Sequence, residues 1–345
     1  MESRVASVRG KKLSELGEKK VIEEVIARYV AKPSWDEYLE VPDDARDVLP
    51  GGPRILFSID GYSLEKILLP WRTLRDAGWC AVVGAISDHI AKGGVPRDLL
   101  VSLGMPSTTS VENLIEIFEG IRDATTEYRL RLLGGDLNES RSPWIDVAVL
   151  SYTSAKKPPR RCCGKVGDEV IATGVYGAMG YVVIHGIEES ARVNWVIEAT
   201  KKPRVYVETA IAISLYYRAI HASMDVSDGL GYTLIEMSRA MSRGIELVEE
   251  PEYYRELDGV CKDLECLWKY ILNGGEEYGV VLVVDQRYTS ALLDYLHKLG
   301  IPAKLIGRVV DKEPHIYLRE KNIERYVKFW DQFRGWSATT KVMEG

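Results

Sequence analysis

ILFSIDGYSLEKILLPWRTLRDAGWCAVVGAISDHIAKGGVPRDLLVSLGMP, residues 55–106, decides how the amino-terminal half folds. ILFSI (55–59) reads as a buried strand that ends directly at Asp60. Trp79, Val82, Val83, Ile86 and Ile90 then recur with helical period up to Gly93-Gly94, which places Asp88 on the last turns of a helix. DLLVSLGMP (98–106) is a second strand. Further along, residues 110–127 read as a second helix, LRLL (130–133) as a strand running into Gly134-Gly135-Asp136, and IDVAVLSYT (145–153) as another strand. This order of strand, helix, strand, helix, strand, strand predicts an α/β or α+β layer and not a helical bundle. Toward the amino terminus, Leu16, Val21, Ile22, Val25 and Ile26 fall at mostly helical spacing over residues 14–30, after a Ser14 cap.

A charged, proline-bearing stretch, Lys156-Lys157-Pro158-Pro159-Arg160-Arg161, interrupts the pattern, because consecutive prolines resist both helix and central strand. A chain of 345 residues is comfortable for two domains. We therefore expect one at 1–157 and another at 158–345. The second half reads as a strand (169–174), helices near 178–188 and 206–221, and a helix after Asp228 with Leu230, Leu234, Met237 and Met241 on one face. An apolar strand (280–285), a helix (289–299) and a strand (303–310) follow.

Composition narrows the function. With 45 Lys+Arg against 51 Asp+Glu the net charge is −6, which offers no basic field for a nucleic-acid backbone. No stretch is long and apolar enough for a membrane span, and the polar amino terminus does not resemble a signal peptide, so a cytoplasmic protein is expected. Five cysteines without CxxC spacing indicate neither a disulfide framework nor a zinc site. The five histidines are scattered, so any metal must be held by carboxylates.

The acidic residues fall at element ends. Asp44 sits in a loop, Asp60 ends a strand, Asp88 closes a helix, Asp136 follows Gly-Gly, and Asp225 and Asp228 flank a helix start. Hard cations such as Mg²⁺ take oxygen ligands, and converging aspartates suit a polyphosphate carrying Mg²⁺. Taken singly, each reads better as a turn or cap residue: Ser227 or Asp228 as an N-cap, GGD as a tight turn.

Order and context go further. GEKKVIEEVIARY (17–29), PDDARDV (42–48), SIDGYSLEK (58–66), GWCAVVGAISDHIAKGGVP (78–96), LLGGDLNES (132–140), ASMDVSDGL (222–230) and NGGEEYG (273–279) together resemble thiamine-monophosphate kinases of the aminoimidazole-ribonucleotide-synthetase-like superfamily. The resemblance runs from about residue 14 to about residue 333. It implies a two-domain fold, α/β then α+β, whose amino-terminal domain pairs into a barrel-like sheet in a homodimer. It implies ATP-dependent, Mg²⁺-dependent phosphorylation of thiamine monophosphate to the diphosphate, without a covalent enzyme intermediate. By motif position the implied metal ligands are Asp44, Ser58, Asp60, Asp88, Asp136, Asp225 and Asp228, with Asp88, Asp136 and Asp228 central to catalysis. The implied ATP contacts are Arg161 and Ser227, and the acceptor contacts are Glu276 and Trp330.

Departures from the family pattern concentrate on the acceptor side. Pro42 replaces the glycine of GDD, Ile67 stands where the family has a substrate-contacting histidine, and Gly279 ends what is otherwise EDYE. A same-fold kinase for another small acceptor such as α-ribazole, and a non-catalytic nucleotide-binding regulator, are the alternative readings. The sister selenophosphate synthetases and carbamoyl dehydratases are disfavoured, since no cysteine precedes Cys80 and the chain ends in Met343-Glu344-Gly345 without a terminal cysteine.

Overall fold

Thr73 starts the helix on which both halves are built. Its hydroxyl accepts from the Asp76 amide while the Asp76 carboxylate accepts from the Thr73 amide, a reciprocal cap that satisfies two otherwise orphaned donors. The computed structural model in which this is seen describes residues 38–39, 46–48, 54–106, 108–331, 333 and 335–338. The expected helix at 14–30 and the PDD segment at 42–44 lie outside the described residues.

The first sheet comprises β1 (Arg46–Val48), β2 (Arg54–Ser63), β3 (Val95–Met105), β4 (Arg131–Glu139) and β5 (Trp144–Thr153), in the order β1-β2-β5-β3-β4. All neighbours are antiparallel except β3 and β4. Helices α1 (Leu74–Ala91) and α2 (Val111–Glu127) connect its strands. Leu99, Val101, Leu103, Ile145, Val147 and Val149 alternate onto the inner face and are buried with α1. The intervening outer positions carry Phe57, Ile59 and Leu100, which stay exposed.

The second sheet holds β6 (Glu169–Thr173), β7 (Ile220–Asp225), β8 (Gly244–Leu247), β9 (Val280–Val284), β10 (Ala303–Val310), β11 (Ile316–Leu318) and β12 (Lys321–Asn322), in the order β12-β11-β8-β10-β6-β9-β7. Its helices are α3 (Ala178–His185), α4 (Asn194–Lys201), α5 (Glu208–Tyr216), α6 (Leu230–Met241), α7 (Leu264–Ile271) and α8 (Thr289–Lys298). β9 reads VVLVV and is buried along its whole length, because both faces of the sheet are covered. On one side Val281 and Val283 pack with α6 and α7. On the other, Leu282 and Val284 join α5, α8 and the core of the first sheet in one continuous apolar cluster. Helix α1 is thus enclosed by β2, β5, α2, α5 and β7, which explains why it is apolar all round. A hairpin of β13 (Lys328–Asp331) and β14 (Gly335–Ala338) closes the described chain.

The elements expected around 98–106, 110–127, 145–153, 280–285, 289–299 and 303–310 are present within a few residues. Four expectations need correction. Asp60 does not end its strand, since β2 continues to Ser63 through ten residues paired with β5. Gly134-Gly135-Asp136 is not a tight turn but the middle of β4. A side chain at Gly135 would meet the Val101 carbonyl, so glycine lets β4 approach β3 where their register shifts. The helix expected to reach residue 221 ends at Tyr216, and 220–225 is strand β7. Finally, the N-cap of α6 is Gly229, so neither Ser227 nor Asp228 occupies the capping position.

Candidate functional site

The end of α1, the middle of β2 and the end of β7 meet at a group of carboxylates. Asp225, the last residue of β7, is buried and accepts a 2.8 Å hydrogen bond from Ser87 on α1. Asp88 follows Ser87. Burial, and after it the charges of Asp225, Asp60 and Asp228, push the Asp88 carboxyl well above the usual carboxylate range, while Lys92 pulls it back. Asp60 is also raised, first by burial and then by Asp225 and Asp146, against hydrogen bonds from the Tyr62 hydroxyl (2.7 Å) and the Gly61 amide (2.9 Å). Asp60, Asp88, Asp225 and Asp228 therefore share one electrostatic neighbourhood.

Among the described residues, Lys92 is the cation acting on Asp88. It is fully buried at the end of α1 and donates to the Ser223 carbonyl on β7 at 2.9 Å. Ser58 is held from behind: its hydroxyl lies 2.9 Å from Nε2 of His89, whose Nδ1 lies 2.6 Å from the Ser151 hydroxyl. Burial pushes His89 down to about 3, so the ring stays neutral and bridges two hydroxyls without adding charge.

Asp136 is placed differently. It lies on the exposed edge strand β4, accepts from the Leu137 amide and the Asn138 side chain, and pairs in register with Ser102. Ser102 also pairs with Asp146, and Asp146 with Gly61, so Asp136 reaches the Asp60 neighbourhood only across a row of four strands, β4, β3, β5 and β2. Asp44 lies outside the described residues.

The 273–279 loop, which holds the expected acceptor contact Glu276, is built directly on the loop that carries Ser227 and Asp228. The Glu276 amide donates to the Ser227 carbonyl (2.7 Å), the Tyr278 amide to the Val226 carbonyl (2.9 Å), and the Val226 amide to the Gly279 carbonyl (2.9 Å). Glu276 and Tyr278 adopt left-handed backbone conformations, φ 59° and 44°, which cost non-glycine residues on the order of 1–2 kcal/mol each. The same zipper compensates that strain. Tyr278 is also hydrogen-bonded to Tyr62, so a hydroxyl chain runs from Asp60 to the acceptor loop. Asn273 accepts from the Lys328 amide at 2.6 Å and hitches β13, which carries Trp330, beside this loop; the Trp330 side chain is outside the described residues. Arg161 follows Arg160, whose carbonyl accepts from Ser223 of β7.

A divalent cation fits this donor set. Among the described residues no three His, Cys, Asp or Glu side chains are arranged to cage one ion. Mg²⁺ on a nucleotide seldom needs such a cage, because phosphates and waters fill most of its octahedron beside one or two carboxylates.

Residues 42–153 match the family described as AIR synthase related protein, N-terminal domain. The thiamine-monophosphate kinase of Synechococcus elongatus is 28% identical over 321 residues, 89% of this chain and 92% of that protein. Over most of its length the chain is similar to thiamine-monophosphate kinases, and its residues 42–153 to the AIR synthase-related N-terminal domain. The crystal structure of tt0281 from Thermus thermophilus is 27% identical with a TM-score of 0.81, covering 91% of this chain and 100% of that one. AaThiL complexed with AMPPCP and TMP has a TM-score of 0.76 at 23% identity, covering 94% and 99% of the two chains, a likeness of fold. The expected superfamily resemblance and fold are borne out.

Sequence reasoning missed Tyr62, Arg72, Ser87, Lys92 and Asp146. A signal existed for Asp146, a charge inside the alternating strand IDVAVL. None existed for Lys92, which in AKGG reads as an ordinary solvated helix end.

Proposed function

We propose that this chain is the ATP- and Mg²⁺-dependent kinase that converts thiamine monophosphate to thiamine diphosphate by direct in-line transfer. The observation that carries the reading is the zipper between the 225–228 and 273–279 loops. These backbone bonds support the reading, because an acceptor held by Glu276 would lie close to a carboxylate cluster that suits a metal nucleotide.

Asp60, Asp88, Asp225 and Asp228 would hold Mg²⁺, with Ser58 oriented by His89, and Asp44 and Asp136 contributing from their own segments. Bound Mg²⁺ would neutralise phosphate charge and keep the attacking and leaving oxygens in line. Arg161 and Ser227 contact the nucleotide, and Arg161 supplies a fixed positive charge where two anions must approach. Glu276 and Trp330 contact the acceptor, the indole stacking on the thiazolium ring. The acceptor phosphate has a second pKa of about 6 and is mostly dianionic near neutral pH, so it needs little help from a general base. Positioning and charge neutralisation carry the reaction. The free cysteines suit a reducing cytoplasm, and among the described residues no helix is long and apolar enough to cross a membrane.

A homodimer completes the reading. Phe57, Ile59 and Leu100 expose 47%, 65% and 50% of their surface on one face of the first sheet, and Leu133 and Leu137 of edge strand β4 expose 58% and 56%. The apolar outer face around Phe57, Ile59 and Leu100 calls for a covering partner, and a second copy presenting the same face satisfies two-fold symmetry. Ile59→Asp should shift the mass by light scattering from twice the 38.8 kDa chain to that of one chain. A wild type that scatters as a single chain with full activity would contradict the dimer.

The function is tested by acceptor-dependent ADP release with Mg·ATP, comparing thiamine monophosphate, α-ribazole and other small phosphates. Stimulation by thiamine monophosphate is expected. Preference for another acceptor would reassign the substrate, and tight ATP binding without any stimulated turnover would make the chain a regulator.

A further inference from the structure

Arg72 lies in the PWRT segment before α1, where a sequence reading takes it for a solvated loop residue. Its side chain is instead 0% exposed. Nε and Nη2 donate to the Thr200 carbonyl at the end of α4 (3.0 and 2.5 Å), and Nη1 donates to the Ile67 carbonyl (2.9 Å). Nη2 also meets Oε2 of Glu276 at 2.5 Å. One guanidinium thus joins three segments distant in sequence. Two of them carry positions at the acceptor end: Ile67, where the family has a histidine, and Glu276.

Glu276 is held on both sides. Its amide is tied to Ser227, its backbone is left-handed, and one carboxylate oxygen is bound by Arg72. Its other oxygen, Oε1, has no protein donor among the described residues, and the side chain keeps 24% exposure. Arg72 is the one group whose planar fork can satisfy two carbonyls and a carboxylate at once. A lysine would carry the charge without that geometry.

We propose that Arg72 is a positioning residue for acceptor binding, fixing Glu276 so that Oε1 alone is presented to the acceptor and tying that carboxylate to the Ile67 and Thr200 segments. The proposal rests on the functional reading above. It predicts that the acceptor end responds to Arg72 while the nucleotide end does not, since Asp88, Asp225 and Asp228 make no contact with it.

Arg72→Lys is the first test, because it keeps the buried charge. Acceptor KM should rise about tenfold or more, kcat should change less than about threefold, and the affinity for Mg·AMPPCP should stay within about twofold of wild type. In a double-mutant cycle with Glu276→Gln the effects should be clearly less than additive, because both act through one contact. Should Arg72→Lys melt far below wild type, Glu276→Asp takes its place: it leaves the carbonyl contacts of Arg72 intact, withdraws the carboxylate, and should raise acceptor KM at wild-type stability. Unchanged acceptor KM in a folded variant, or fully additive effects, would overturn the proposal. The acceptor used is whichever the wild type turns over, so failure with thiamine monophosphate alone counts against the substrate and not against Arg72. A wild type that turns over no acceptor overturns both.

Discussion

Asp88→Asn should leave a folded protein that is more stable than wild type without metal and nearly inactive with it. The carboxyl sits among Asp60, Asp225 and Asp228 with Lys92 as partial compensation, and burial raises it well above the usual range. Its folded-state pKa thus exceeds the unfolded value near 4, so the folded protein holds that proton more tightly. Below pH about 4 the group is protonated in both states and the substitution changes little. As pH rises through the window between the unfolded and folded values, wild type must ionise a disfavoured carboxylate and the asparagine variant need not. The difference in stability should therefore grow with pH above about 4. Turnover should fall more than about tenfold, and the same loss is expected for Asp228→Asn. Thermal melts in EDTA across pH 4–8, paired with rates at limiting Mg²⁺, check both halves. A variant no more stable than wild type in EDTA, with wild-type turnover, would remove Asp88 from the site.

Gly279→Ala should cost the most stability for the least added volume. A Cβ at this position would meet the Thr173 carbonyl and the hydroxyl of Tyr176, which itself donates to Thr173 at 2.6 Å. Neither can retreat. Tyr176 is fully buried, and the Thr173 hydroxyl accepts from the Val280 amide at 2.9 Å. Overpacking against backbone typically costs about 1–3 kcal/mol, and loss of the Gly279 carbonyl bond to Val226 would carry the strain into the 225–228 loop. We expect a loss of about 3 kcal/mol in denaturant unfolding together with weaker Mg·ATP binding. A loss below about 0.5 kcal/mol would show that the Tyr176 contact yields freely. Gly279 is therefore required by packing, whatever it does for the acceptor.

How far the sequence can be read depends on whether an element's neighbours come from nearby in the chain. α2, α6 and α8 carry one apolar stripe, and each is legible as a period. β7 is not, because IHASMD is short and rich in small residues. It becomes a strand through pairing with β9, some sixty residues later, and on sequence alone reads as the tail of a helix. Asp60 looks like a strand end because Gly61 breaks the apolar run, yet β5 pairs on through Ser63. Asp60, Asp88, Asp225 and Asp228 are legible from motif order, and the structure brings them into one neighbourhood. Asp136 reads as their equal but stands at a sheet edge. The partners that set the electrostatics and the loop geometry, Lys92 and Arg72, are invisible because a lysine or arginine reads as solvated until the packing that encloses it is known.

The transferred phosphorus can be followed directly. The protein, Mg²⁺, γ-labelled ATP and thiamine monophosphate are incubated together, and the products are resolved. Label is expected in thiamine diphosphate, formed in step with ADP and lost together in Asp88→Asn, with no labelled protein, since transfer is direct. Label appearing only as inorganic phosphate, or on the protein itself, would contradict it.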